Sequence, residues 1–363
     1  MRFPEFTGEW KRHKLSEVCS FYSGGTPSSS KKEYYNGDIP FIRSGELHKD
    51  NTELFITEDG LNNSAAKMVE VGDLLLALYG ATSGDIAISK IKGAINQAIL
   101  CIRTKQNKKF IESVWNKHVE RLLQTYLQGG QGNLSADIVK NIPFYFASCA
   151  EQDKLAQFVS LLDERIATQN KIIEKLQSLI KGIRHNVFQQ LRKDVGFNST
   201  IGDILSFEQP QRYIVSSTEY SDDSSCTPVL TANKAFILGY TTETDGIYSK
   251  GDCIIVDDFT LDCKYVSFPF KIKSSAIKIL TAENKYILRY IYECLKSLDI
   301  STEEHKRHYI TEIQPSSCIL PDDKTLTTIA LMFESITNKL ENEQSLALML
   351  NKQKQYLLSK MFI

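Results

Sequence analysis

The chain has 363 residues, 42% of them hydrophobic and 24% charged, and 43 basic against 44 acidic residues leave a net charge of −1. That length suggests two to three domains with material for a core in each, and the composition is that of a globular protein. The near-zero charge selects no partner by itself; no apolar run approaches the roughly 18 residues of a membrane span, and MRFPEFTGEW lacks the apolar core of a signal peptide. Cysteines at 19, 101, 149, 226, 253, 263, 294 and 318, with no C-x-x-C, read as buried reduced thiols of a cytoplasmic protein and make a zinc site improbable.

Residues 1–149 are mixed. Leu15–Phe21 opens as a short amphipathic segment, followed by the Gly/Ser/Pro-rich loop Ser23–Ser30 and the basic-aromatic tip Lys31-Lys32-Glu33-Tyr34-Tyr35. Ile39–Ile42 reads as a strand that ends in the polar Arg43-Ser44-Gly45-Glu46. After Val71-Gly72-Asp73, the run LLLALYG has the unbroken apolarity of a buried strand. Gly80 and Gly84 turn the chain into Asp85–Ser89, and Ala94–Ile102 reads as a further strand. Phe110–Leu127 has helical spacing at Trp115, Val119 and Leu122 and runs into the loop Gln128–Asn133.

From Ala150 to Arg192, apolar residues at Leu155, Phe158, Leu162, Ile166, Ile173, Leu176, Ile180, Ile183 and Val187 mark a long helix. Beyond Ile166 the steps alternate four and three, the seam of a coiled coil, with Gln169 as a polar member. At 1.5 Å per residue such a rod is roughly 64 Å long. Pro321–Ile363 repeats the design through Leu326, Ile329, Phe333, Ile336, Leu340, Ala347, Leu350, Leu357 and Met361, interrupted by Glu343 and Lys354. No proline lies between Phe144 and Gln209 or after Pro321.

Residues 193–200 read as a polar linker, and residues 201–320 replay the first globule. Ile201–Phe207 matches Leu15–Phe21, Thr227–Leu230 matches Ile39–Ile42, and Lys250–Ile255 matches Val71–Leu76. Lys271-Ile272-Lys273 is matched to Lys90-Ile91-Lys92, and a helix over Asn284–Leu298 precedes a basic loop, His305–His308. The expected fold is α+β: two mixed α/β globules, residues 1–149 and 193–320, separated by two long helices, residues 150–192 and 321–363, that form an antiparallel coiled coil. This pseudo-two-fold internal duplication puts the globules at opposite ends of the rods. Duplex DNA has the same kind of axis, so a split sequence read by two heads suits such an object. The alternative is a coiled-coil adaptor whose globules bind proteins; a DNA-modifying enzyme in its own right comes third.

The opening GEWKRHKLSEVCSFYSGGTPSSSKKEYYNGDIPFIRSGEL, the core VGDLLLALYGATSGDIAI, the exit GNLSADIVKNIPF and the helix QDKLAQFVSLLDERI resemble the specificity subunit of Type I restriction–modification systems. The resemblance spans the chain and is weaker in the second globule, which lacks the GGTPS and GGQGN loops. It implies two target recognition domains, each reading one half of an interrupted site in double-stranded DNA, in a non-catalytic subunit. The helices would recruit two methyltransferase subunits and, through them, the restriction subunits. S-adenosylmethionine, ATP and Mg would belong to those partners, and this chain would carry no cofactor or metal.

Base reading needs side chains that match groove-edge donors and acceptors, chiefly Arg or Lys for guanine and Asn or Gln for adenine. The first globule offers Lys31, Lys32, Tyr34, Tyr35, Arg43, Ser44, Gln131 and Asn133. The second offers Arg212, Tyr213, Lys234, Lys264, Lys306, Arg307 and His308. Against base contact, Arg43 can instead pair with Glu46, Gly129, Gly130 and Gly132 can simply end a helix, and Lys306-Arg307-His308 can be a solvated charge run. Asn141-Ile142-Pro143-Phe144 departs from the Asn-Pro-Pro-Phe of adenine methyltransferases and is better read as a strand end packing Phe144. Ser23–Thr26 lacks the lysine of a phosphate loop, and Asp257-Asp258 is expected to be a solvated pair.

Overall fold

The computed structural model describes residues 1–126, 133–232, 235–298 and 307–362. It divides into two compact units: Met1–Asn170 with Leu346–Ile363, and Lys171–Ser345. Each unit therefore owns part of both long helices.

The first unit is built on an antiparallel sheet ordered Cys19–Ser23, Ile99–Thr104, Leu74–Ala77, Ile86–Ile88. Side chains alternate across it. Leu74 and Leu76 join Phe110, Val114 and Trp115 in one core, while Leu75 and Ala77 join Ile42, Val69 and Ile95 in another. Burial on both faces is why this strand reads as an unbroken apolar run. A second sheet is ordered Phe55–Ile56, Tyr35–Ile42, Gly93–Ile95, Lys67–Val69, and Phe41 and Ile42 pair in parallel with Ala94 and Ile95. The helix Lys108–Tyr126 is capped by Asn107, whose Oδ1 accepts the Phe110 N–H, and Trp115 Nε1 donates to the Gly84 carbonyl at 2.7 Å.

The single strand expected over Ala94–Ile102 is two. Asn96 breaks it, its Oδ1 accepting the Ala98 N–H at 3.0 Å, so that Gly93–Ile95 joins one sheet and Ile99–Thr104 the other.

The second unit repeats this plan. Its antiparallel sheet is ordered Ser206–Glu208, Ile277–Thr281, Cys253–Asp257, Cys263–Val266. The other sheet is ordered Ile237–Thr241, Thr227–Leu230, Lys271–Ile272, with Val229 and Leu230 parallel to Lys271 and Ile272. The helix Lys285–Ser297 is capped by Asn284.

Strand pairing corrects two details of the internal match. Phe21 lies opposite Ile102 and Ile102 opposite Leu74; Phe207 lies opposite Leu280 and Leu280 opposite Ile254. Leu74 thus corresponds to Ile254, not Cys253. The turns align on Gly72 (φ +88°) and Gly251 (φ +105°), so the second copy has one more residue between turn and strand. Without that residue every side chain would face the wrong way. Likewise the parallel pairing equates Lys271-Ile272 with Ala94-Ile95 and not with Lys90-Ile91.

The two long helices are Cys149–Asp194 and Asp323–Met361. In the first unit Leu155 and Val159 of the central helix share a core with Leu358, Met361 and Phe362, and Lys354 reaches Asp163 at 2.5 Å. In the second unit Ile180 and Leu191 share a core with Leu326, Ile329 and Phe333. Early residues of one helix meet late residues of the other, so the pairing is antiparallel.

Partly buried ion pairs tie helix to globule: Lys109 bridges Glu112 and Asp163 in the first unit, and Arg184 holds the buried Glu293 at 2.6 Å in the second. Five cysteines are buried as expected, but Cys149 is exposed at the start of its helix. Among the described residues no helix is long and apolar enough to cross a membrane, and no His/Cys/Asp/Glu group has the makings of a metal site.

Candidate nucleic-acid interface

In the first unit several loops converge on the turn Asn96–Ala98. Gly24 N–H donates to the Asn96 carbonyl at 3.2 Å, and Thr26 Oγ1 donates to Gln97 Oε1 at 2.8 Å. Leu78 N–H donates to the Ala98 carbonyl, and Leu134 N–H to the Leu78 carbonyl at 3.0 Å. The Ser/Gly-rich loop and the exit of the Gln128–Asn133 loop therefore reach one edge. Gly24 is required there by close approach, since a Cβ would stand 1.7 Å from the Ile95 carbonyl oxygen.

The second unit reproduces the bonds of the turn and of the exit, though not those of Gly24 and Thr26. Ala276 N–H donates to Ser274 Oγ, Asp258 N–H to the Ala276 carbonyl, and His308 N–H to the Asp258 carbonyl at 2.8 Å. Leu134 corresponds to His308, and Asn133 to Arg307. Leu134 and His308, which follow GGQGN and the basic run ending at Arg307 in the sequence, thus occupy one equivalent place, although the preceding sequences share nothing.

Asp258 replaces the apolar Leu78 and is not solvated. It is 2% exposed, its Oδ1 accepts the Tyr309 N–H at 2.9 Å, and its Oδ2 lies 3.5 Å from the buried Lys278 ammonium. Lys278 also donates to Gln209 Oε1 at 3.0 Å, and Arg307 stands 4.0 Å from Asp258. Asp257, 9% exposed, accepts the Phe259 and Thr260 N–H groups. The expectation of a solvated pair fails because these oxygens meet backbone donors and cations inside the fold, which removes the penalty of burying them.

The sequence candidates do not form one cluster. Lys31 and Lys32 are exposed, but Tyr34 is buried, and Lys31 donates to its hydroxyl at 2.8 Å. Tyr35 is half-buried and donates to the Pro27 carbonyl. Arg43 and Ser44 sit beyond the opposite end of the strand Tyr35–Ile42. Arg43 grips Glu46 through Nη2 to Oε1 (2.8 Å) and Nε to Oε2 (3.2 Å), with Glu53 3.0 Å from Nη2. The ion pair considered as the alternative is formed. Asn133 is exposed.

In the second unit Arg212 and Arg307 are exposed and Lys264 is half-buried. Tyr213 is buried, donating to Glu208 at 2.9 Å, and His308 is buried at the loop exit, so neither offers a free edge to a base. Gln131, Lys234 and Lys306, with Gly129, Gly130 and Gly132, lie outside the described residues. Asn141 ends a short helix, Ala136–Asn141, and Phe144 is buried in the strand Pro143–Phe146, in keeping with a packing role.

The family model of the Type I restriction modification DNA specificity domain matches residues 7–178. Through that stretch, a little under half of its length, the chain is similar to the Type I restriction–modification specificity family. The EcoR124I/EcoR124II specificity subunit of Escherichia coli is 42% identical over 143 residues, which are 38% of this chain and 35% of that one. The MjaIX specificity subunit of Methanocaldococcus jannaschii is 28% identical over 182 residues, 46% of this chain and 42% of that one. The matched stretch thus spans about a third of the first relative's length. The fold likeness is wider. A crystal structure of the Type I restriction–modification S subunit from M. genitalium superposes with a TM-score of 0.67 at 15% identity, covering 99% of this chain and 97% of that one.

Beyond the specificity-domain match, the duplicated edge shows residues that sequence reading passed over. Tyr79 follows Leu78 and Phe259 follows Asp258, so they occupy equivalent places; they are 37% and 38% exposed. Gln97 is exposed at the turn itself. The signal for the aromatics was positional, a ring two residues past the central strand in both copies, and it becomes legible only in the corrected register.

Proposed function

We propose that this chain is the DNA-reading subunit of a Type I restriction–modification complex, recognising a bipartite, interrupted site with one half-site per unit. The observation that carries this reading is the doubled edge: a globule matched by the specificity-domain model and its structural repeat hold Leu134 and His308, each preceded by a dissimilar sequence, in one hydrogen-bonded position. A common frame with divergent loops suits two heads that read different bases. The chain itself is non-catalytic in this reading. Methyltransferase subunits, supplied with S-adenosylmethionine, dock on the helices, and restriction subunits using ATP and Mg join through them. Exposed apolar side chains support docking: Leu161, Leu348, Met349 and Tyr356 on the helices of the first unit, Leu179 and Leu331 in the second. With a net charge of −1, much of the phosphate neutralisation falls to those partners.

Mapping methylated adenines across the genome with and without this gene tests the proposal. Deletion removes methylation at one interrupted motif; an unchanged map beside intact partner genes rejects the reading. The aromatics give a finer test. Tyr79→Ala weakens discrimination at one half-site and Phe259→Ala at the other, each by about 1 kcal/mol if the ring meets a base edge or thymine methyl. Methylation kinetics on duplexes altered in one half-site measure this, and equal losses on both half-sites would count against it.

A further inference from the structure

A cleft of about 710 Å³ opens in the first unit between the helix Lys108–Tyr126 and the strand Pro143–Phe146. Lys117, His118 and Arg121 line it together with Phe144 and Tyr145, and no carboxylate is among its lining residues. His118 stacks on Phe144 at 5.7 Å with Arg121 Nη2 3.4 Å from its Nδ1, and Lys117 donates to the Phe362 carbonyl. Among the described residues neither Lys117 nor Arg121 forms an ion pair. Partial burial, and then the neighbouring Arg121 charge, hold the Lys117 ammonium below its ordinary pKa.

The internal repeat supplies a control. Counted from the capping residues Asn107 and Asn284, the places of Lys117, His118 and Arg121 are taken by Cys294, Leu295 and Leu298. Lys14 lies opposite Pro143 and Thr200 opposite Ser317, so Phe144 corresponds to Cys318. The hollow there measures only about 100 Å³, and Phe188 and Phe197 help to line it. The same fold thus nearly closes this place with side chains that are uncharged apart from Arg192 of the long helix, which lies over the Phe197 ring. Architecture does not demand Lys117 and Arg121 there, and gathering them where no carboxylate of the described residues lines the cleft works against stability unless an anion arrives.

We infer that this cleft holds a phosphodiester of the DNA backbone next to the half-site read by the first unit, an inference that rests on the function proposed above. Its helix, Lys108–Tyr126, precedes the candidate reading residues Gln131 and Asn133 closely in the sequence, which is why the phosphodiester is assigned next to that half-site. The flat ring faces of His118 and Phe144 and the exposed Tyr145 suit a sugar and base edge better than an acidic peptide.

The test uses the full chain in the complex in which it binds DNA, with duplexes of arbitrary sequence. The double variant Lys117→Ser, Arg121→Leu, of the uncharged kind found in the second unit, should weaken binding uniformly across sequences. Its log–log salt dependence should be shallower by about 1 to 2, near 0.9 for each phosphate no longer neutralised. In the unaltered protein, duplex DNA should protect Lys117 from amine acylation, a readout independent of the variant's folding. Parallel salt lines, unprotected Lys117, or protection by poly-glutamate and not by DNA would overturn the assignment. Parallel lines with DNA binding intact reject the cleft alone, whereas an unaltered protein that binds no DNA rejects the proposed function and the cleft with it.

Discussion

Arg43→Ala lowers the stability of the first unit by about 2 kcal/mol at pH 7, and the loss fades as the pH is taken toward 2. Glu46 is 3% exposed, and its carboxyl is drawn down to about 2, first by the hydrogen bonds from Arg43 and then, against the cost of burial, by Thr52. A depression of that size from the ordinary value near 4.5 corresponds to about 3 kcal/mol, and the half-exposed Arg43 guanidinium, screened by water, reduces it to about 2. A carboxylate whose folded pKa is depressed contributes stability that is fully present above its unfolded pKa and is lost as pH falls through the folded one. The difference between wild type and variant is therefore complete above about pH 5 and shrinks between about 4.5 and 2. Urea unfolding of the first unit at pH 7 and pH 3 measures it; an equal difference at both would refute the assignment.

The same residue separates structure from reading. Arg43→Lys keeps a cation beside Glu46 but loses the two-pronged guanidinium geometry that a guanine contact would use. If Arg43 reads a base, the lysine variant retains most of the stability and still loses methylation at one half-site. If it serves only Glu46, methylation survives with the fold.

How much of the molecule was legible in its sequence depends on the physics of each signal. Unbroken apolar runs and heptad patterns report burial directly, so the strand Leu74–Ala77 and both long helices could be read from side chains alone. The duplication was visible where turns carry glycine, but Gly72 and Gly251 pulled the match one residue out of register in the strand after each turn. Only the pairing of Leu74 with Ile102 and of Ile254 with Leu280 reveals the extra residue, because cross-strand partners are not encoded locally. The binding candidates fared less evenly for a similar reason. A tyrosine in a basic run reads as a contact residue, yet Tyr34 and Tyr213 spend their rings on the core and their hydroxyls on Lys31 and Glu208. Asp258 was misjudged because a carboxylate beside another looks solvated until the Tyr309 N–H and the Lys278 ammonium, each far off in sequence, are placed on it.

Inserting four helix-forming residues beside Gln169 should abolish methylation at the original interrupted site and restore it at the same half-sites with a longer gap. Four residues add about 6 Å of helix, and at about 3.4 Å per base pair the gap grows by one or two pairs. They also rotate the downstream part of the helix by about 400°, which leaves the stripe of Ile173, Leu176 and Ile180 within about 40° of its former direction. Two inserted residues turn it by about 200°, set that stripe toward water, and should cost the pairing itself. The chain already carries such a change. Aligning Glu334 and Ile336 with Glu164 and Ile166, and Leu357, Met361 and Phe362 with Ile183, Val187 and Phe188, leaves four more residues in the last helix, about one extra turn, and that helix stays continuous from Asp323 to Met361. Methylation mapping of the two insertions reads the outcome. Retained half-sites with a new gap for four residues, and loss of all methylation for two, are expected; changed half-sites would mean that the heads do not read independently of the rods.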